Sequence, residues 1–145
     1  MNALPRVFLV DDEPHIRMLM KKVIQSIKCQ LVGEATNGKE AIEFISKYKV
    51  DIVLMDINMP KMPGNEALPY IIELQPDAVI IMITSVADIE TVGECLKKGA
   101  VNYVRKDTPI KEIRKIIVES WNEYVQLRRK KDEGEIQPEG SSSGD

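Results

Sequence analysis

Five short apolar runs, each followed by a segment of helical period, constrain this chain more than any other feature of its sequence. "RVFLV" (6–10), "QLVGEAT" (30–36), "DIVLMD" (51–56), "AVIIMITS" (78–85) and "AVNYVRK" (100–106) read as strands, most of them apolar at successive positions rather than at alternate ones. Strands apolar on both faces belong to sheets covered on both faces, and such sheets are parallel. Between the strands, Ile16, Leu19, Met20, Val23, Ile24 and Ile27, and then Ala41, Ile42, Ile45 and Tyr48, recur at the spacing of one helix face. The order βαβαβαβαβα with right-handed crossovers gives an α/β fold, a doubly wound five-stranded parallel sheet flanked by five helices.

Local chemistry marks the helix ends. Pro14 suits a first helical turn, and Asn37 with Glu40 three residues on predicts a capping box. Asp88 is the expected cap of the fourth helix, with Val92, Cys95 and Leu96 inward and Gly99 just past its end. Thr108 is the expected cap of the fifth helix, with Pro109 at its first position; Ile113, Ile116, Ile117, Trp121 and Tyr124 line that helix. The third helix is less regular. Leu68, Ile71 and Ile72 have the spacing, but Pro69 sits among them, which predicts a late start or a kink.

The 145 residues make one domain, and 43% hydrophobic content suffices for a packed core. No apolar run approaches the roughly 18 residues of a membrane-spanning helix. The first strand begins almost at once, with acids where a signal peptide would need a small-residue cleavage site. The two cysteines, Cys29 and Cys95, have no disulfide or metal spacing. These readings point to the cytoplasm. The net charge of −3 gives no general attraction to nucleic acid, and the single histidine, His15, leaves little room for a His-based triad or zinc site. From Arg128 the composition changes to "RRKKDEGEIQPEGSSSGD". The reading is a domain over 1–127 and a flexible polar tail or truncated linker over 128–145, its basic run a solvated helix end rather than a nucleic-acid contact.

The strand ends carry the chemistry. The first strand runs into Asp11, Asp12 and Glu13, and the third ends at Asp56. In a parallel sheet both ends lie on one rim, where open α/β sheets bind ligands. Three carboxylates brought together raise each other's pKa unless a cation offsets them. A hard divalent ion is the natural partner, and Mg²⁺ fits a site of carboxylates and phosphate. The same rim receives Thr84 and Ser85 from the fourth strand, and Arg105 and Lys106 from the fifth. Carboxylates, a metal, a hydroxyl and a lysine on one rim form a phosphoryl-transfer set.

At this point the sequence resembles the receiver domains of two-component response regulators, the CheY-like family. The resemblance spans about residues 5 to 125 and rests on "LVDDEP", "DIVLMDINMPKMPG", "IMITS" and "KKGAVNYVRK". It implies a flavodoxin-like strand order, 2-1-3-4-5. It also implies that Asp56 is the phosphoacceptor, that Asp12 binds Mg²⁺ directly and Asp11 through water, and that the Asn58 carbonyl completes the protein's share of the shell. Thr84 and the Ser85 N–H would contact phosphoryl oxygens, Lys106 would pair with another, and Tyr103 would be an aromatic switch. Asn58 and Val86 would flank the path of the hydrolytic water.

The implied function is a signalling switch rather than an enzyme with external substrates. A sensor histidine kinase donates the phosphoryl group, and a surface made by the fourth helix, fifth strand and fifth helix then acts on a downstream effector protein or fused effector domain. The implied form is a monomer or a phosphorylation-dependent homodimer, without membrane or direct nucleic-acid binding. Many receivers have proline directly after the lysine; here Asp107 follows Lys106, so a trans peptide is expected. A haloacid-dehalogenase-like phosphatase would need a second aspartate where Asn58 stands. A receiver fold used only for protein contacts, without phosphorylation, is the other alternative.

Overall fold

A computed structural model describes residues 4–132. The elements follow the expected alternation: β1 (Arg6–Val10), α1 (Pro14–Ser26), β2 (Gln30–Ala35), α2 (Gly38–Lys47), β3 (Ile52–Asp56), α3 (Gly64–Leu74), β4 (Val79–Thr84), a 3₁₀ turn (Val86–Asp88), α4 (Ile89–Lys98), β5 (Asn102–Arg105) and α5 (Ile110–Asp132). The strands form one sheet in the order β2-β1-β3-β4-β5, with every neighbouring pair parallel.

The period-2 geometry of the strands divides the core in two. Phe8, Val10, Val53, Met55, Ile80 and Met82 face one side, where Ala41 and Ile45 of α2, Ala67, Leu68 and Ile71 of α3, and Val92 and Cys95 of α4 cover them. Val7, Leu9, Ile52, Leu54, Ile81 and Ile83 face the other, against Ile16, Met20, Val23 and Ile24 of α1 and Ile113 and Ile117 of α5. Each large side chain removed from water this way stabilises the fold by about 1.5–3 kcal/mol. Because every neighbouring pair is parallel, all the strand C-termini lie on one rim of the sheet.

Several local expectations are corrected. α3 does not start late; it begins at Gly64 and carries Pro69 inside. Buried Ala67, Leu68 and Ile71 hold it to the sheet, while Pro69 lies on the exposed side, where water can reach the carbonyl the proline leaves without a donor. Leu96 is exposed rather than inward, because α4 turns only Val92 and Cys95 into the core. Asp88 precedes α4 without a side-chain cap bond. The Thr108 hydroxyl accepts from the Arg105 N–H, and the Pro109 carbonyl, not Thr108, receives the first N–H groups of α5. In α2, Asn37 accepts from the Glu40 N–H as expected, but Glu40 reaches back one residue further, to the N–H and hydroxyl of Thr36. α5 runs through Asp132, past the expected start of a flexible tail at Arg128; the rest of that stretch, 133–145, lies outside the described residues. The peptide after Lys106 is trans, as expected; no cis bond occurs among the described residues.

Candidate functional site

Asp11 follows directly on β1, and Asp56 is the last residue of β3. Val10 is in register with Met55, which sets Asp11 beside Asp56 on the rim. One carboxylate oxygen from each of Asp11, Asp12 and Asp56 lies within 4.8 Å of the other two. Asp11 and Asp56 are sealed from solvent, at 0% and 1% exposure, while Asp12 is half-buried.

Glycine at position 64 allows this placement. α3 starts directly beneath the end of β3, where the Gly64 N–H donates to the Ile57 carbonyl at 2.7 Å. A Cβ at Gly64 would stand 2.0 Å from the Asp56 carbonyl oxygen, so only glycine lets the helix approach this closely.

Lys106 arrives from the far side. Its backbone N–H donates to the Thr84 carbonyl, which continues the β4–β5 pairing one residue beyond β5. Its ammonium donates to Asp56 Oδ2 at 3.0 Å and to the Glu13 carboxylate, and stands 3.8 Å from Asp11 Oδ2. Three carboxylates therefore face one ammonium. Burial, reinforced by the neighbouring Asp11 charge, pushes Asp56 up to about 7 although Lys106 pulls the other way. Burial also raises Asp11. Burial works to lower Lys106, but its hydrogen bonds to Glu13 and Asp56 outweigh this and raise it. Lys106 in turn lowers Glu13.

Two buried oxygens, Asp11 Oδ2 and Asp56 Oδ1, have no hydrogen-bond partner. Unpaired carboxylate oxygens away from water are costly unless a cation takes them. All the donors are hard oxygens at close spacing, so the residues present fit a hard divalent cation better than a transition metal or zinc.

A cleft of about 330 Å³ opens over the cluster, lined by Asp12, Glu13, Asn58, Ser85, Asp88 and Lys106. A larger cavity, about 450 Å³, lies between β5 and the start of α5 and holds none of the clustered carboxylates. Of the residues expected at the site, the fold gathers Asp11, Asp12, Asp56 and Lys106, and it sets Asn58 and Ser85 on the cleft wall. Thr84 is at the right strand end but fully buried, and its hydroxyl donates to the Ser85 carbonyl at 2.9 Å rather than into the cleft. Tyr103 packs partly buried against the core on the α2–α4 side. Val86 is 61% exposed just after Ser85.

Two cleft residues were not anticipated. Glu13 stands in the same acid run as Asp11 and Asp12, and only the fold shows that it meets Lys106. Asp88 was read as a helix cap; instead its Oδ2 accepts from the Ser85 hydroxyl at 3.0 Å.

Comparison with known proteins agrees with this geometry. The family model described as "Response regulator receiver domain" matches residues 7–118. A chemotaxis protein CheY from Thermotoga maritima is 41% identical over 70% of this chain and 84% of its own length. A protein-glutamate methylesterase/protein-glutamine glutaminase from Archaeoglobus fulgidus is also 41% identical, but the match covers only 29% of that protein. Among solved structures, a CheY-like receiver domain protein from Methanospirillum hungatei superposes with a TM-score of 0.78 at 27% identity, over 86% of this chain and 98% of that one. CheY in a CheX–CheY–BeF₃–Mg²⁺ complex from Borrelia burgdorferi gives 0.71 at 30% identity, over 78% and 87%. A matching family model over most of the chain, the five-stranded 2-1-3-4-5 sheet, and the acids and lysine on its rim lead to one conclusion: this chain belongs to the response regulator receiver domain family of two-component signalling.

Proposed function

We propose that the domain is a phosphorylation-activated switch whose phosphoacceptor is Asp56. The observation that carries this reading is the state of that carboxylate. It is buried at the end of β3, one oxygen is unpartnered, the other is held by Lys106, and two further acids stand beside it. In the reaction, an Asp56 oxygen attacks the phosphorus of a phosphohistidine on a sensor histidine kinase. The P–N bond breaks and its electron pair stays on the imidazole nitrogen. Asp11, Asp12, Asp56 and the Asn58 carbonyl would hold Mg²⁺, which supplies charge neutralisation for the phosphoryl oxygens when bound. Lys106 needs only a short shift from Asp56 Oδ2 to reach a phosphoryl oxygen. The Ser85 N–H and the Thr84 hydroxyl serve the others, the hydroxyl leaving the Ser85 carbonyl to do so. Water later attacks the phosphorus and regenerates the Asp56 carboxylate.

Hydrogen bonds to a charged group contribute about 1.5–3 kcal/mol each. Thr84 and Lys106 together thus supply at most roughly 3–6 kcal/mol, less the resting bonds they give up to the Ser85 carbonyl, Glu13 and Asp56, against the approximately 5.5 kcal/mol that carries an equilibrium from 1:99 to 99:1. The output on this reading is a changed surface over α4, β5 and α5, with Tyr103 moving alongside Thr84, directed at a downstream effector protein or fused effector domain. The setting is the cytoplasm; no helix among the described residues is long and apolar enough to cross a membrane.

The test is intact mass after incubation with Mg²⁺ and acetyl phosphate. One added phosphoryl group is expected, absent in Asp56→Asn. A folded wild-type protein that gains no mass would overturn the reading in favour of a domain used only for protein contacts.

A further inference from the structure

We infer that Glu13 is a positioning residue: it holds the Lys106 ammonium in the resting domain and competes with the incoming phosphoryl group for it. This rests on the reading of Asp56 as phosphoacceptor. The Lys106 ammonium has three N–H donors, and Glu13 and Asp56 each take one, with Asp11 Oδ2 a further 3.8 Å contact. One N–H is left over for an oxygen of a phosphorylated Asp56, but the ammonium can centre on that oxygen only as its hold on one of these carboxylates loosens.

Exposure decides which. Asp11 is sealed at 0%, so separating it from its cation leaves a buried charge without compensation. The Glu13 side chain is 42% exposed on the cleft wall, and water can take over its carboxylate at small cost. Glu13 also occupies the N-cap position of α1, where its side chain makes no cap bond and the first turn contains no acid. Once released from Lys106, its carboxylate remains beside the N-terminus of α1, whose positive dipole end favours a negative charge. Glu13 is thus the partner that yields, and the energy of its ion pair is subtracted from what Lys106 offers the phosphoryl group.

Beryllofluoride with Mg²⁺, a non-covalent stand-in for the phosphoryl group, measures this directly. Glu13→Gln keeps the shape of the side chain and removes the charge. Its beryllofluoride affinity is expected to rise about three- to tenfold over wild type, between the worth of an exposed ion pair and that of a charged hydrogen bond. In a Lys106→Ala background the same substitution is expected to change affinity by less than about twofold, because there is no ammonium left to release. Equal affinity of Glu13→Gln and wild type overturns the inference. So does an unchanged gain in the Lys106→Ala background, which would mark simple charge repulsion at the cleft. Failure of wild-type protein to bind beryllofluoride at all would instead count against the phosphoacceptor reading itself.

Discussion

The Lys106 ammonium lies 3.0 Å from Asp56 Oδ2 although fifty residues separate the two along the chain. The contact exists because β3, β4 and β5 are parallel neighbours, so that residues following each strand meet on one rim. It relieves only part of the charge there, and the predictions follow from the part it leaves.

Without metal, Asp56 destabilises the fold above neutral pH. Its pKa rises on folding from an ordinary 3.8 to about 7, chiefly through burial. A carboxyl raised by folding contributes fully below its unfolded pKa, and that contribution is lost as pH climbs through the folded one. The loss therefore falls between about pH 4 and pH 7. In chelator, Asp56→Asn is expected to be more stable than wild type at pH 8 by on the order of 2–4 kcal/mol, with the gain shrinking towards pH 5. Urea unfolding at the two pH values measures it. A variant no more stable than wild type at pH 8 would show that Asp56 carries no such penalty.

Mg²⁺ should raise the melting temperature of the wild-type domain, and more at pH 8 than at pH 5.5. A ligand at about a hundred times its Kd adds roughly 2.7 kcal/mol to the folded state. Protons on Asp56 and Asp11, both raised by burial, compete with the cation at the lower pH. Asp12→Ala removes the third carboxylate of the cluster and should abolish most of the shift. A thermal shift independent of both pH and Asp12 would place the metal elsewhere.

Gly64→Ala should damage the site from behind. Its Cβ would sit 2.0 Å from the Asp56 carbonyl oxygen, a contact backbone cannot accept without moving. The expected destabilisation is about 1–3 kcal/mol or more by denaturant titration, together with slower gain of phosphoryl mass from acetyl phosphate as β3 and α3 are forced apart. Wild-type stability and rate in this variant would mean that the helix start has room the structure does not show.

How much of this was legible in the sequence depends on the range of the interaction. The sheet was legible because strands such as "FLV" and "IVLM" are apolar at every position, and only a doubly covered sheet buries such runs. The acids and Lys106 were legible because each follows a strand directly. Leu96 has inward spacing on paper, yet α4 buries only Val92 and Cys95, and nothing within a single helix records how much of its apolar face the neighbours will cover. Pro69 looked like a helix boundary because local propensity cannot see Leu68 and Ile71 anchoring both sides of it. The pairing of Glu13 with Lys106 and the turn of the Thr84 hydroxyl onto the Ser85 carbonyl are set by side-chain geometry across strands.

The lifetime of the phosphorylated form should depend on residue 86. Val86 follows Ser85 of the cleft wall in sequence, is 61% exposed, and has no group that can orient water. The acid that does line the cleft from the same turn, Asp88, is engaged by the Ser85 hydroxyl at 3.0 Å and so is not free to act in its place. A carboxylate at position 86 has room at the surface and could accept a proton from the attacking water. Val86→Glu is therefore expected to speed loss of the phosphoryl group by about tenfold, read as the decay of phosphorylated mass after the phosphodonor is removed. Asp88→Asn, which removes the charge but keeps a hydrogen-bond acceptor for Ser85, should change the decay by no more than about twofold. The reverse order, with Asp88→Asn slowing decay strongly and Val86→Glu leaving it unchanged, would transfer the water-orienting role to Asp88.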